Sequence, residues 1–241
     1  MKRLTLEKRD GIGAISLDDG KANAIQEELL TQLDVALETC ERDPDLHAVV
    51  MGGRDGFFSA GLDLKLLPSL TEAELRSTLK HLCETTHRLF TFPKPVVAAI
   101  TGHAVAGGAV LALCADVRVA AEGTYRIGLS EVAIGVPLPS FILNIAREVL
   151  PAAAMTPVCL HGMLVPPEEA LRTGIVQEVG PLGEVRERAA AQARRLGQLK
   201  QSAYVSTKRR IRGPSADAGR RAFDVEIDEF MTAFRSTGAG R

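Results

Sequence analysis

Apolar and polar positions divide the chain into a front part of short strands and helices and a back part of helices alone. Leu4–Arg9 and Ile12–Leu17 are β-prone runs around Asp10-Gly11, a dipeptide that tolerates the positive φ angles of a tight hairpin turn. Leu29, Leu30, Leu33 and Leu37 then recur at helical spacing within Glu27–Cys40. Asp43-Pro44-Asp45 ends that helix, because proline disfavours helical backbone in the residue before it. Ala48–Met51 reads as a buried strand closed by Gly52-Gly53. Thr71-Glu72-Ala73-Glu74 predicts an N-cap and an acidic first turn for a helix running to about Phe90. Val96–Ile100 and Val117–Ala121 are strand candidates on either side of Gly107–Leu113, a helix of small apolar residues. Helices are predicted at Ser140–Leu150, Ala152–Leu160, Pro167–Thr173 and Leu182–Leu199, and the charged tail Ser202–Phe234 is helical as well. Residues Ser236 to Arg241 are expected to fray. The order of elements predicts an α/β core followed by a helical C-terminal region.

Composition narrows the function classes. With 241 residues, 46% of them hydrophobic, the chain has ample material for one large core. A net charge of -1, no tryptophan and only 2 tyrosines give little support to nucleic acid as a partner. The start, Met1-Lys2-Arg3-Leu4-Thr5-Leu6-Glu7, is charged too early for a secretory signal, and no run reaches the roughly 18 apolar residues of a membrane span. Cys40, Cys83, Cys114 and Cys159 form no CxxC and read as free thiols of a reducing, cytoplasmic setting. His47, His81, His87, His103 and His161 are scattered, and no metal-ligating cluster, phosphate-binding loop or GxSxG elbow is present.

Two glycine-marked loops carry the candidate chemistry. One is Ser59-Ala60-Gly61-Leu62-Asp63, where Asp63 can accept local N–H groups and hold a turn. The other is Gly102-His103-Ala104-Val105-Ala106-Gly107-Gly108, which runs into the small-residue helix. Glycines at a helix start let backbone N–H groups approach a ligand closely, and those N–H groups are unpaired and carry partial positive charge, which suits an oxyanion. Each loop, taken alone, also fits ordinary strand-to-helix packing. Downstream, Glu131 stands in Gly128-Leu129-Ser130-Glu131.

These segments, together with Asn23-Ala24-Ile25 before a Leu-rich helix and Glu168…Ala170…Gly174-Ile175-Val176, resemble the enoyl-CoA hydratase/isomerase (crotonase) family, and in motif most nearly its 3,2-enoyl-CoA isomerases. The resemblance covers the chain to about Gly180. It implies a crotonase-type spiral of ββα units over 1–180, a helical region over 181–241, and a homotrimer or hexamer. The substrate it implies is an acyl-CoA thioester. No separate cofactor is implied, coenzyme A being part of the substrate, and neither is a metal, nucleic acid or a membrane.

Site residues follow from the same resemblance. The backbone N–H groups of Leu62 and Gly107 are the two oxyanion donors, with Gly108 adjacent. Coenzyme A lies along Lys21, Ala22, Asn23 and Ala24 and along Ala60, Gly61, Leu62, Asp63 and Leu64, with Lys65 near its phosphates. Hydratases of the family use two glutamates, one at the position of Val110 and one at that of Glu131. This chain keeps only the second. Its first position is apolar, and the Val110 side chain is expected to face the acyl α and β carbons. Hydration needs one group to activate water and another to handle the α proton, whereas moving a double bond from position 3 to position 2 needs only one base. The implied activity is therefore isomerisation with Glu131 as proton-transfer base. Alternatives are a hydratase or another acyl-CoA enzyme of the family, and a non-catalytic RNA-binding or scaffold protein. Lys208-Arg209-Arg210-Ile211-Arg212 is expected to be a solvated basic helix face, with a neighbouring subunit's coenzyme A phosphate as a second reading. The Phe-rich final helix common in the family is not evident in the C-terminal part.

Overall fold

The first hairpin forms where the alternation places it. Strands β1 (Leu4–Arg9) and β2 (Ile12–Leu17) pair antiparallel, and the turn residues Asp10 and Gly11 take φ of 52° and 75°. The structure is a computed structural model that describes residues 2–236. The fraying expected at the C-terminus therefore falls, from residue 237 onward, outside the described residues.

After α1 (Glu27–Arg42) the chain repeats one pattern. A strand enters a large sheet, the next strand enters a small one, and a helix closes the unit. The units are β3 (Ala48–Gly52), β4 (Gly56–Ser59) and α2 (Glu72–Phe90), then β5 (Val96–Ile100), β6 (Gly102–Val105) and α3 (Gly107–Leu113). The third comprises β7 (Val117–Ala121), β8 (Ile127–Gly128) and α4 (Ser140–Val149). Helices α5 (Ala152–Met155) and α6 (Pro167–Arg172), strand β9 (Glu178–Gly180), and helices α7 (Leu182–Gly197) and α8 (Gln201–Ser236) complete the chain. The large sheet has the order β1-β2-β3-β5-β7-β9, parallel apart from the first hairpin, and the small sheet is β4-β6-β8. This is the spiral of ββα units.

The central strands carry apolar residues without alternation because both faces of the large sheet are covered. Val49, Met51, Val96, Ala98 and Ile100 enter the main core, while Ala48, Val50, Val97, Ala99 and Val119 meet Val185, Ala189 and Ala193 of α7. The predicted capping box of α2 is formed: Thr71 Oγ1 accepts the Glu74 N–H at 3.3 Å, and Glu74 accepts the Thr71 N–H at 2.8 Å. The helix expected over Ala152–Leu160 is instead α5 followed by a turn of π-helix at Thr156–Leu160, where Pro157 has no N–H to give the ladder.

The basic run Lys208–Arg212 is not a solvated face throughout. Lys208 is buried, and its Nζ lies 2.8 Å from Asp116 Oδ2; Arg212 Nη1 lies 3.1 Å from Asp116 Oδ1. The Arg212 guanidinium covers the Phe90 ring at 4.5 Å and donates to the carbonyls of Phe90 and Cys114 at 3.1 and 3.0 Å. These lie at the C-terminal ends of α2 and α3, where carbonyls lack helical partners. Only Arg209, Arg210 and Ile211 of the run are exposed. Asp116→Ala would leave the buried Lys208 without its counter-ion and take one from the half-buried Arg212, so it is expected to destabilise the protein by about 3–5 kcal/mol in denaturant unfolding, against under about 1 kcal/mol for a surface pair. A change within the surface range would show that the cations reach water unaided.

Candidate active site

The two glycine loops meet, and one buried asparagine joins them. Asn23 takes a φ of 51° and is 1% exposed. Its Nδ2 donates to the carbonyls of Leu17 (3.0 Å), Phe57 (3.1 Å) and Phe58 (3.1 Å), tying the end of β2 to β4. Its own carbonyl accepts Ser59 Oγ at 2.7 Å, and Ser59 Oγ accepts the Gly61 N–H at 3.2 Å. The segments around 22–25 and 60–63 then run side by side. Ala60 N–H donates to Ala22 O, Ile25 N–H to Gly61 O, and Asp63 N–H to Ile25 O, at 3.0, 2.7 and 3.0 Å. Asp63 Oδ1 accepts the N–H groups of Lys65 and Leu66 and closes the turn.

Gly61 is the point of contact with the second loop. At φ 83° it sits where a Cβ would lie 2.9 Å from Gly107 N and 3.0 Å from Val105 O. On the other side Ala106 adopts φ 51° and ψ -128°, a backbone state uncommon for a residue with a Cβ. That twist directs the chain into α3 with Gly107 as its first residue. A Cβ on Gly107 would lie 3.6 Å from Leu62 N, so the two N–H groups are neighbours. Neither donates to an acceptor among the described residues. Two adjacent unpaired donors thus lie side by side, open to a ligand acceptor.

They open into a cavity of ≈ 180 Å³. Ala60, Leu62 and Leu64 line it from the first loop, and Val105, Ala106 and Gly107 from the second. Ser130 and Glu131 follow β8, with Ile134, Val136 and Pro139 after them. The remaining wall is apolar: Leu79 and Leu82 of α2, Phe141 and Ile142 of α4, and Phe223, Phe230 and Phe234 of α8. Glu131 is the one titratable side chain of this wall. It is 7% exposed, its Oε2 has no partner among the described residues, and burial pushes its carboxyl up to about 7 against nearby backbone N–H groups that pull it down less. The Glu131 charge in turn helps burial raise the thiol of Cys159. Gly135, at φ 82°, ends the single helical turn Val132–Ile134, and the Glu131 carbonyl accepts the N–H groups of Ile134 and Val136.

The structure thus gathers Ala60, Leu62, Leu64, Gly107 and Glu131 around one cavity. Lys21 and Lys65 are exposed, and Ala22, Ala24, Gly61 and Asp63 build the loop without lining the wall. Gly108 and Val110 are not on the wall either. A Cβ on Gly108 would collide with the Ser59 carbonyl, so that glycine serves the approach of α3 to β4. Val110 is fully buried and packs in the main core. A Phe-rich final helix is present, contrary to the sequence reading: along α8 Phe223 meets Phe230 edge to face, Phe230 stacks on Phe234, and the three line the cavity. Their spacing with Ile227 forms one apolar stripe, a helical signal diluted by the charges between them.

Known proteins agree with this architecture. The family model described as enoyl-CoA hydratase/isomerase matches residues 7–239. A Thermus thermophilus protein with an enoyl-CoA hydratase name is 40% identical over 179 residues, covering 73% of this chain and 70% of its own length. Mouse mitochondrial enoyl-CoA delta isomerase 1 is 30% identical over 235 residues, 96% of this chain and 81% of its own. A solved Mycobacterium tuberculosis protein superposes with a TM-score of 0.87 at 36% identity, over 95% of this chain and 99% of its own; it is called an enoyl-CoA isomerase in one structure and an enoyl-CoA hydratase in another. The spiral fold and the paired-donor cavity define a crotonase-type enzyme. The chain belongs to the enoyl-CoA hydratase/isomerase family.

Proposed function

We propose that this enzyme isomerises 3-enoyl-CoA to 2-enoyl-CoA. The observation that carries the reading is that, among the described residues, Glu131 is the only titratable group on a cavity wall that is apolar apart from Ser130. Glu131 takes a proton from C2 of the substrate. The C–H pair forms C1=C2 as the carbonyl π pair moves onto the thioester oxygen, giving a dienolate that keeps C3=C4 and whose charge rests between the N–H groups of Leu62 and Gly107; on reprotonation the carbonyl reforms, C1=C2 shifts to C2=C3, and the C3=C4 pair takes the proton. The same carboxyl returns the proton at C4. Water is not consumed, and the wall offers it no second carboxylate. Coenzyme A runs along Lys21–Ala24 and Ala60–Lys65, and assembly as a homotrimer or hexamer belongs to the same reading.

Supplying 3-enoyl-CoA and 2-enoyl-CoA separately and weighing the products tests it. Isomerisation leaves mass unchanged, while hydration adds one water. Rapid hydration of 2-enoyl-CoA without interconversion of the isomers would replace this reading with a hydratase. The base must be ionised to accept a proton, so with its carboxyl raised to about 7, kcat/KM is expected to rise with pH through about 7 and level off above it. An acid limb at the ordinary glutamate value of 4.5 would show that Glu131 is hydrated or is not the base.

A further inference from the structure

Helix α8 is fastened to the body in several ways. The Asp116 ion pairs hold its first half. Along α2, the contacts Lys80–Asp224, Glu84–Arg220 and His87–Asp217 are largely solvent-exposed and individually weak. A further contact is of another kind. Helix α4 begins at Ser140 after Pro139, and proline offers no side-chain acceptor, so the first turn has no local cap. The cap comes from α8. Glu226 Oε2 accepts the Ser140 N–H at 2.7 Å, and Glu226 Oε1 accepts the Ser140 hydroxyl. The carboxylate also sits at the positive end of α4.

This clamp lies between the two aromatic walls of the cavity. On α4 the residues beside it are Pro139, Phe141 and Ile142; on α8, Phe223 and Phe230 lie one turn to either side of Glu226. The Phe141 and Phe223 rings meet edge to face at 4.9 Å. Gly219 permits the approach, since a Cβ there would lie 2.6 Å from Phe141 Cα. Helix α8 is therefore pressed on α4 by packing at Gly219 and tied to it by the forked Glu226 carboxylate and by Asn144 Nδ2, which donates to the Ser215 carbonyl at 2.9 Å.

We propose that Glu226 is a positioning residue for this site, setting the spacing of α8 from α4 and so the fit of the distal acyl chain against the wall that Phe141 and Phe223 form together. The inference rests on the acyl-CoA reading given above. Glu226 does not line the cavity, and the oxyanion loops are built without it. Its loss should be felt by a long acyl chain and not by a short one.

Binding of saturated thioesters tests this without relying on turnover. Decanoyl-CoA and acetyl-CoA are titrated calorimetrically into the full-length protein and its Glu226→Ala, Glu226→Gln and Ser140→Ala variants. Glu226→Ala is expected to weaken decanoyl-CoA about tenfold and to leave acetyl-CoA within about twofold. Glu226→Gln should restore the long-chain affinity to within about twofold, because its amide oxygen can accept the Ser140 N–H and its NH₂ can donate to the hydroxyl. Ser140→Ala keeps the N–H bond and should give an intermediate loss of about threefold. A folded Glu226→Ala protein that binds decanoyl-CoA like the parent overturns the proposal, as do equal losses for both thioesters or no recovery in Glu226→Gln. Should Glu226→Ala not fold, parental decanoyl-CoA affinity in Ser140→Ala overturns it. An unmodified protein that binds neither thioester overturns the acyl-CoA reading itself, a result distinct from normal binding with no acyl-length effect in the variants.

Discussion

Glu131→Gln is expected to reduce turnover by about 10³-fold while acyl-CoA binding persists, because the amide keeps the shape of the carboxyl and cannot accept the C2 proton. The same substitution should stabilise the fold at high pH. The Glu131 carboxyl is raised to about 7 in the folded protein against an ordinary 4.5, so the folded state holds a proton that the unfolded chain has released between those values. Folding stability contributed at this position is therefore lost as pH rises from about 4.5 to 7. The gap corresponds to about 3 kcal/mol, which the neutral glutamine would recover above pH 7 and not below 4.5. Denaturant unfolding of both proteins at pH 8.5 and pH 4.5, beside steady-state kinetics, checks the two effects together. Near-parental turnover removes Glu131 from the chemistry, and a stability difference independent of pH removes the buried ionisation.

Gly61→Ala is expected to cost about 10²–10³ in kcat/KM with the fold retained, the size associated with loss of an oxyanion donor. The residue has φ 83°, and a Cβ would sit 2.9 Å from Gly107 N, so even a methyl group must push the two donor loops apart. By contrast Leu62→Ala leaves its backbone N–H in place and should mainly trim the apolar wall. Kinetics on both variants, with circular dichroism to confirm folding, separates the effects. Full activity in a folded Gly61→Ala protein would place the thioester oxygen elsewhere.

Much of this molecule is legible in one dimension. The hairpin turn at Asp10-Gly11, the Leu stripe of α1, the Thr71 capping box and the apolar strands β3, β5 and β7 are local patterns. Propensity, capping and burial act there over a few residues, and the structure follows them. The glycine loops and Glu131 were also visible, though each fits an ordinary turn or surface role alone and only their conjunction, in the family order, singled them out. The small sheet was not, since β4, β6 and β8 contain only 4, 4 and 2 residues, too few for a periodic signal, and they hold together through pairing between distant segments.

Tertiary structure decided the rest for the same reason: the deciding contacts join residues far apart in the chain. Lys208 and Arg212 read as solvated charges until α8 lays them on Asp116. Phe223, Phe230 and Phe234 become a cavity wall only when α8 folds over α2 and α4. The sequence by itself determined which groups could do chemistry; the packing of α8 and the Gly61–Gly107 contact decided that they share one cavity, where burial raises the Glu131 carboxyl to about 7.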